Sequence, residues 1–254
     1  MGTHSRYGQP VTPLPGFVDV HSHVVPSGDD GAATIEQGLA LCHLALEAGT
    51  RVLFATPHAH AEWDNYPRTP ERERIFDAAF PVMRDAVAEW GLDLRRGWEV
   101  FPTELAVHDP ADFRLTGTAA VLVEFPGWWL DYPDPIRLLT EAAERIEEAG
   151  LVPVLAHPER CPAVSDDPAR VGPLAERGWL VCLNAASLLG EHGRTAERVA
   201  WRLLDDGVVK LAASDAHGAA RPPTLDRAFR AVQRRHGTER ALPLFDGSWL
   251  PWDD

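Results

Sequence analysis

Cysteine is scarce in this sequence. There are three, Cys42, Cys161 and Cys182, odd in number and far apart, with no CxxC pair. That argues against a disulfide framework and reads as reduced thiols in a cytoplasmic protein. Positive charge is also short: 24 lysines and arginines face 38 acids, for a net charge of −14. A binder of nucleic-acid backbones shows a basic face, so that class is set aside. No run approaches the roughly 18 apolar residues of a membrane span. The opening "MGTHSRYGQPVTPLPG" has no apolar stretch of a signal-peptide kind. Residues 1–15 read instead as a flexible, proline-punctuated tail ahead of a single domain over 16–254. A GxGxxG turn, an internal repeat and low-complexity tracts are all missing. What remains is ordinary for a globular chain, 45% hydrophobic and 24% charged, and long enough for a large core.

Short apolar runs alternate with helical patterns from end to end. The runs are "FVDV" (17–20), "RVLFAT" (51–56), "LRRGWEV" (94–100), "AAVLVEF" (119–125), "LVPVLAH" (151–157), "WLVCLN" (179–184) and "VVKLAASDAH" (208–217). Stretches with a 3.6-residue period lie between them. Thr34 with Gln37 three residues on is a capping-box pattern for the first helix, which Gly49 would stop. Asp134 and Pro135 open a later helix that ends at Gly150. Gly207 ends another, "RTAERVAWRLLDDG". Strand and helix repeated about seven times indicates parallel βα units. A closed or nearly closed barrel fits better than a doubly wound sheet, because polar residues recur at nearly every strand end and not at one crevice. The segment 57–93 is the longest interruption and reads as a mouth loop followed by a helix.

Those strand ends carry the chemistry. The first ends in His21 and His23, with Asp30 or Asp29 in the loop beyond; a strand sends i and i+2 to the same side. The next ends give His58, Glu99, Glu124 and His157, and the last gives Asp215 and His217. In a (β/α) barrel the C-terminal rim is where sites are built, so nine imidazoles and carboxylates would face one cavity. Each piece alone is weak. Together they would be costly to bury unless cations compensate them. Nine nitrogen and oxygen donors exceed a mononuclear site and imply two or three divalent ions; without thiolate the set suits manganese, iron or zinc better than calcium or magnesium. Such a site activates water and clamps an oxyanion. Arg160 and Arg221 can reach the same rim, and two guanidinium groups beside it point to phosphate.

The motifs "DVHSHVVPSGDDGA", "ATPH", "LVEFP", "LAHPERC", "LNAASLLG" and "ASDAHGAARPP" resemble the polymerase-and-histidinol-phosphatase (PHP) superfamily. The likeness is nearest to its bacterial capsule-type branch, the manganese-dependent tyrosine-protein phosphatases that act on the tails of bacterial tyrosine kinases. It runs from about Phe17 to Pro223. The resemblance implies a distorted seven-stranded (β/α) barrel holding a trinuclear centre. It also implies His21, His23, Asp30, His58, Glu99, Glu124, His157, Asp215 and His217 as ligands, with Arg160 and Arg221 on phosphate. No cysteine nucleophile is needed, and none stands in a Cx5R loop. There are departures from the family pattern. Ser22 replaces a cysteine that is common in the family, no basic residue follows Glu99, and the loop "GWWLDYPDP" brings Trp128, Trp129 and Tyr132 to the pocket mouth.

The expected activity is therefore a metal-dependent phosphomonoesterase acting on phosphotyrosine in a protein or peptide. A small phosphate ester such as histidinol phosphate or a nucleotide is the enzymatic alternative, and a non-catalytic metal-bound scaffold is the other. An amidohydrolase also opens with HxH, but often carries a carbamylated lysine on its fourth strand, whereas the single lysine here is Lys210 on the last run. His60 is read as a loop histidine, and Asn184 as either a hydrogen-bond partner of the site or a turn or helix cap. The basic run "RAFRAVQRRHGTER" reads as a solvated helix face, and the C-terminal "DGSWLPWDD" as packing back on the body.

Overall fold

The computed structural model describes residues 16–60, 66–127 and 132–253. The tail 1–15, Trp128, Trp129 and part of the expected mouth loop (61–65) lie outside the described residues. Among the described residues there are nine strands: β1 (Phe17–Asp19), β2 (Thr50–Ala55), β3 (His58–Ala59), β4 (Asp93–Arg96), β5 (Glu99–Val100), β6 (Ala120–Glu124), β7 (Val152–Ala156), β8 (Leu180–Asn184) and β9 (Val209–Ala213). The longer helices are α1 (Ile35–Glu47), α2 (Pro70–Ala88) and α3 (Pro135–Glu148). Short turns α4 (Pro162–Asp166), α5 (Gly172–Glu176) and α6 (Ala185–Leu188) follow, then α7 (Gly193–Asp205), α8 (Leu225–His236) and α9 (Thr238–Ala241).

The strands pair in parallel in two sheets, of order β1-β2-β4 and β3-β5-β6-β7-β8-β9. Seven apolar runs thus become nine strands, because the third is interrupted and a further short strand, β3, lies just beyond the second, in the segment expected to be loop. Pro57, which has no N–H to give a ladder, separates β2 from β3, and Gly97 separates β4 from β5. The backbone nevertheless stays side by side across both breaks: Gly97 N donates to Ala55 O at 2.9 Å, Glu99 N to Pro57 O at 3.1 Å and Phe101 N to Ala59 O at 3.0 Å. The outer edges of the two sheets also meet. Ser22 bridges Ala216 in parallel, Asp215 N donates to His21 O at 2.9 Å, and His23 N donates to Ala216 O at 2.8 Å.

The caps follow the expected chemistry. Thr34 Oγ1 accepts from Gln37 N at 3.3 Å, and Asp134 Oδ1 accepts from Arg137 N at 3.1 Å. Gly49, Gly150 and Gly207 all sit at positive φ just past their helices, where a side chain would be strained. Both faces of the sheets are buried, and successive residues divide between two cores. Val121, Val123, Leu155, Val181 and Leu183 pack under the helices. Their neighbours Leu122, Val154, Ala156, Cys182, Leu211 and Ala213 pack with Phe54 and Leu250 on the other side. The C-terminal segment does fold back: Ala119 N donates to Pro251 O at 2.7 Å, and Lys210 Nζ stands 4.1 Å from the Trp249 ring centroid. The basic run on α8 is partly used as well, since Arg235 and His236 both pair with Asp205 of α7. Among the described residues no helix is long and apolar enough to cross a membrane.

Candidate metal centre

The carboxyl ends of the parallel strands place the nine expected residues around one point. His21 and His23 lie on the extended chain leaving β1, and Ser22 between them turns the other way, its hydroxyl donating to Phe54 O at 2.7 Å. His58 opens β3, Glu99 opens β5 and Glu124 closes β6; His157 follows β7, and Asp215 and His217 follow β9. His157 and Asp215 hold left-handed backbone, with φ of 41° and 52°. Non-glycine residues adopt that region at a cost of about 1–3 kcal/mol, which surrounding contacts must offset.

Glu99 stands at the centre. Its Oε2 lies 3.1 Å from His21 Nε2, 3.3 Å from His23 Nε2 and 2.9 Å from His58 Nδ1, while Oε1 lies 2.9 Å from His157 Nε2. Asp215 Oδ1 stands 3.3 Å from His21 Nε2, 3.6 Å from His23 Nε2 and 3.4 Å from His217 Nδ1. Asp30 Oδ1 is 3.3 Å from both His58 Nε2 and His217 Nε2. Four overlapping groups have ligand atoms within 4.8 Å of one another: His23, Asp30, His58 and His217; His21, Glu99 and His157; His21, His23 and Asp215; His58, Glu99 and Glu124. Every one of the nine belongs to at least one group. All but Asp30 and His58 are buried.

These residues fit divalent cations. Glu99 Oε2 and His58 Nδ1 are buried without a hydrogen-bond partner despite their close approach. His21 Nε2 and His23 Nε2 face each other at 3.2 Å. Donors that share a cation through bonds of about 2.0–2.2 Å stand about 3 Å apart, which is the spacing seen. The protonation pattern reflects how the crowded carboxylates draw protons onto their neighbours. Burial, with Glu99 adding to it, pushes the Glu124 carboxyl up to about 8. Burial also disfavours a charged His23, but Asp29 and Glu99 overcome it and hold the imidazole at about 9. For Glu99 burial is likewise outweighed, by His21 and His58, and its carboxyl stays well below the usual range.

Outer contacts orient the donors. Asp29 Oδ2 accepts from His23 Nδ1 at 3.0 Å and from His58 N at 3.1 Å, leaving His23 Nε2 for the cavity. His217 Nδ1 reaches Asp215 O at 2.8 Å, which likewise frees Nε2. Asp215 Oδ2 accepts from Arg160 Nη1 and Asn184 Nδ2, both at 2.8 Å, so Oδ1 turns inward. Of the two roles expected for Asn184 both are realised, since its Oδ1 also caps α6 through Ala186 N at 2.9 Å. His60 is buried with its ring stacked on Phe101 at 3.8 Å. A cavity of about 260 Å³ opens over the centre, lined by seven of the nine together with Tyr66, Arg160 and Arg221. Arg221 Nη2 is 3.5 Å from Asp30 Oδ2.

Sequence reasoning missed two contributors. Tyr66 lies parallel to His58, with ring centroids 5.7 Å apart. Arg72 of α2, largely buried, donates to Ser27 O and Pro67 O, both at 3.0 Å, and so ties the acidic loop to the segment carrying Tyr66. No spacing marked Tyr66. Arg72 stands in an arginine- and glutamate-rich helix start that reads as solvated.

A parallel α/β chain whose strand ends gather imidazoles and carboxylates into one pocket is of the PHP kind. The chain belongs to the CpsB/CapC family, described as capsular polysaccharide synthesis, whose model matches residues 17–247. It is 26% identical over 239 residues to the tyrosine-protein phosphatase YwqE of Bacillus subtilis, covering 92% of this chain and 91% of the relative. It is 28% identical over 242 residues to the tyrosine-protein phosphatase CpsB of Streptococcus agalactiae, covering 90% and 95%. Among solved structures it superposes on one from a study of Bacillus subtilis YwqE and Streptococcus pneumoniae CpsB, which are described there as metal-dependent tyrosine phosphatases. The TM-score is 0.75 at 26% identity, covering 89% and 90%. A lactonase of Listeria monocytogenes, 11% identical with a TM-score of 0.57, shares the fold.

Proposed function

We propose that this protein is a metal-dependent phosphomonoesterase that hydrolyses phosphotyrosine in proteins. One observation carries the reading: nine imidazoles and carboxylates gather into overlapping groups, and seven of them line one cavity together with two guanidinium groups. The named relatives, matched over nine tenths of the chain, support it. His21, His23, Asp30, His58, Glu99, Glu124, His157, Asp215 and His217 would hold two or three divalent ions, manganese first and iron or zinc after it. Asp29 orients His23 and is not itself a ligand. We read the nine strands as seven interrupted runs of one distorted barrel, and residues 16–254 as one domain.

When bound, the ions would supply Lewis-acid charge and lower the pKa of a coordinated water. The chain's own part is positional. Arg160, fixed by Asp215 Oδ2, and Arg221, beside Asp30, present guanidinium donors to the outer phosphate oxygens. Their charge is in place before the reaction, so it stabilises the added negative charge of the transition state without reorganisation. A tyrosyl group leaves as a phenolate, whose conjugate acid has a pKa of about 10, and so needs less help from a proton donor than an alkyl alcohol. Phosphotyrosyl proteins, bacterial tyrosine kinase tails first among them, are the substrates to test.

His157→Ala should lose both metal and turnover, read by elemental analysis and hydrolysis of para-nitrophenyl phosphate. With Asn184 still holding Asp215 Oδ2, Arg160→Ala should keep its metal at saturating manganese and lose rate by about 10²-fold or more, as removal of a transition-state donor does. An arginine variant as fast as the parent would show that Arg160 does not hold the phosphate.

A further inference from the structure

A second cavity, of about 410 Å³, shares Arg160 with the one over the metal centre. Its wall differs in character. Asp166 brings negative charge, Glu159 adds a buried carboxyl that burial pushes up to about 7, and Pro162 and Ala196 form an apolar side. Arg160 lies between the two cavities and donates to Asp215 on the metal side. His192 also lines this cavity; burial and the Arg160 charge push its pKa down to about 4, and at neutral pH it adds no positive charge.

Glu159 is the feature that calls for a ligand. It is 1% exposed, and its Oε1 accepts from Asn184 N at 3.0 Å, but its Oε2 has no hydrogen-bond partner. The Ser187 hydroxyl lies close to this carboxylate and stands 3.0 Å from His192 Nδ1, so it can serve the Glu159 carboxyl on one side only. A buried carboxylate oxygen without a donor is costly, and a cationic group entering the cavity would supply one.

We propose that this second cavity is a subsite for a basic side chain, lysine or arginine, that neighbours the phosphotyrosine of the substrate. The cationic head meets Glu159 and Asp166, and the methylene stem lies along Pro162 and Ala196. Arg160 stands between the two cavities, so a phosphate on one side of it would place a neighbouring side chain of the substrate within reach of Asp166 and Glu159 on the other. The inference rests on the phosphotyrosine reading above and narrows it to a charge pattern in the substrate.

The test uses phosphotyrosyl peptides identical except for lysine, alanine or glutamate at the flanking positions, with para-nitrophenyl phosphate alongside because it carries no flanking residue. The readout is the ratio of kcat/KM for the lysine peptide to that for the glutamate peptide, in which changes in overall rate cancel. The wild-type ratio should be about tenfold or more, the scale of a charged hydrogen bond. It should fall to about one or below in Asp166→Lys, a change at an exposed position, and fall also in Glu159→Gln. Equal values for all peptides, with para-nitrophenyl phosphate still hydrolysed, would overturn the subsite and leave the phosphatase reading standing. A preference that survives in both variants would place recognition elsewhere and overturn the assignment. Failure to hydrolyse any phosphoester would overturn both readings.

Discussion

Asp29 and Asp30 are adjacent, yet one lies behind His23 and the other faces His58 and His217 across the cavity. Asp29 acts through His23: accepting from Nδ1 fixes the ring and its tautomer and directs Nε2 inward. Asp29→Asn should therefore weaken manganese binding by about 10–100-fold, the usual cost of removing such an outer partner, with little change in folding midpoint. Isothermal titration of the chelator-treated protein measures this. Unchanged affinity would show that the peptide frame alone holds His23. The sequence marked the His21–His23 pair plainly, because alternation in an extended segment fixes which side each residue takes. It left the two acids unresolved, because a Pro/Gly turn has no such period. Tyr66 was invisible for a related reason: it reaches the cavity through ring stacking on His58, which no linear spacing encodes.

At the level of elements, the capped helices α1 and α3 and the runs that became β1, β6, β7, β8 and β9 were legible, since caps and apolar runs are local signals. The break in the third run and the extra strand β3 after the second were not. Pro57 and Gly97 sit in the middle of ladders that the neighbouring backbone carries across, so the interruption depends on pairing and not on composition. The loop from β1 to α1 shows how tightly an element can constrain the site. A Cβ on Gly31 would stand 2.4 Å from His23 O and 2.5 Å from His23 Cβ. Gly31→Ala should cost about 1–3 kcal/mol in a denaturant titration, as overpacking does, and should also reduce bound manganese by displacing His23. Gly172→Ala is the control, because nothing lies within 4 Å of a Cβ there; its stability and metal content should match or exceed the parent's. Equal behaviour of the two variants would mean that the Gly31 loop simply moves aside.

For the molecule as a whole, the site exists only when the chain's two ends come together. Asp19, from the first strand, accepts from Ser214 N at 3.0 Å, and His21 stands against Asp215, so residues nearly two hundred positions apart close the centre. The net charge of −14 already opposes compaction. Gathering four of those carboxylates with five imidazoles would be tolerable once cations bind the assembled set, which would couple metal uptake to the folded state. The decisive measurement is to strip the protein with a chelator and titrate manganese back, following bound metal per chain and hydrolysis of a phosphotyrosyl peptide together. Hydrolysis should be absent from the stripped protein and return only after more than a single ion is bound. Full turnover without metal, or a filled centre that leaves the phosphoester intact, would contradict the assignment.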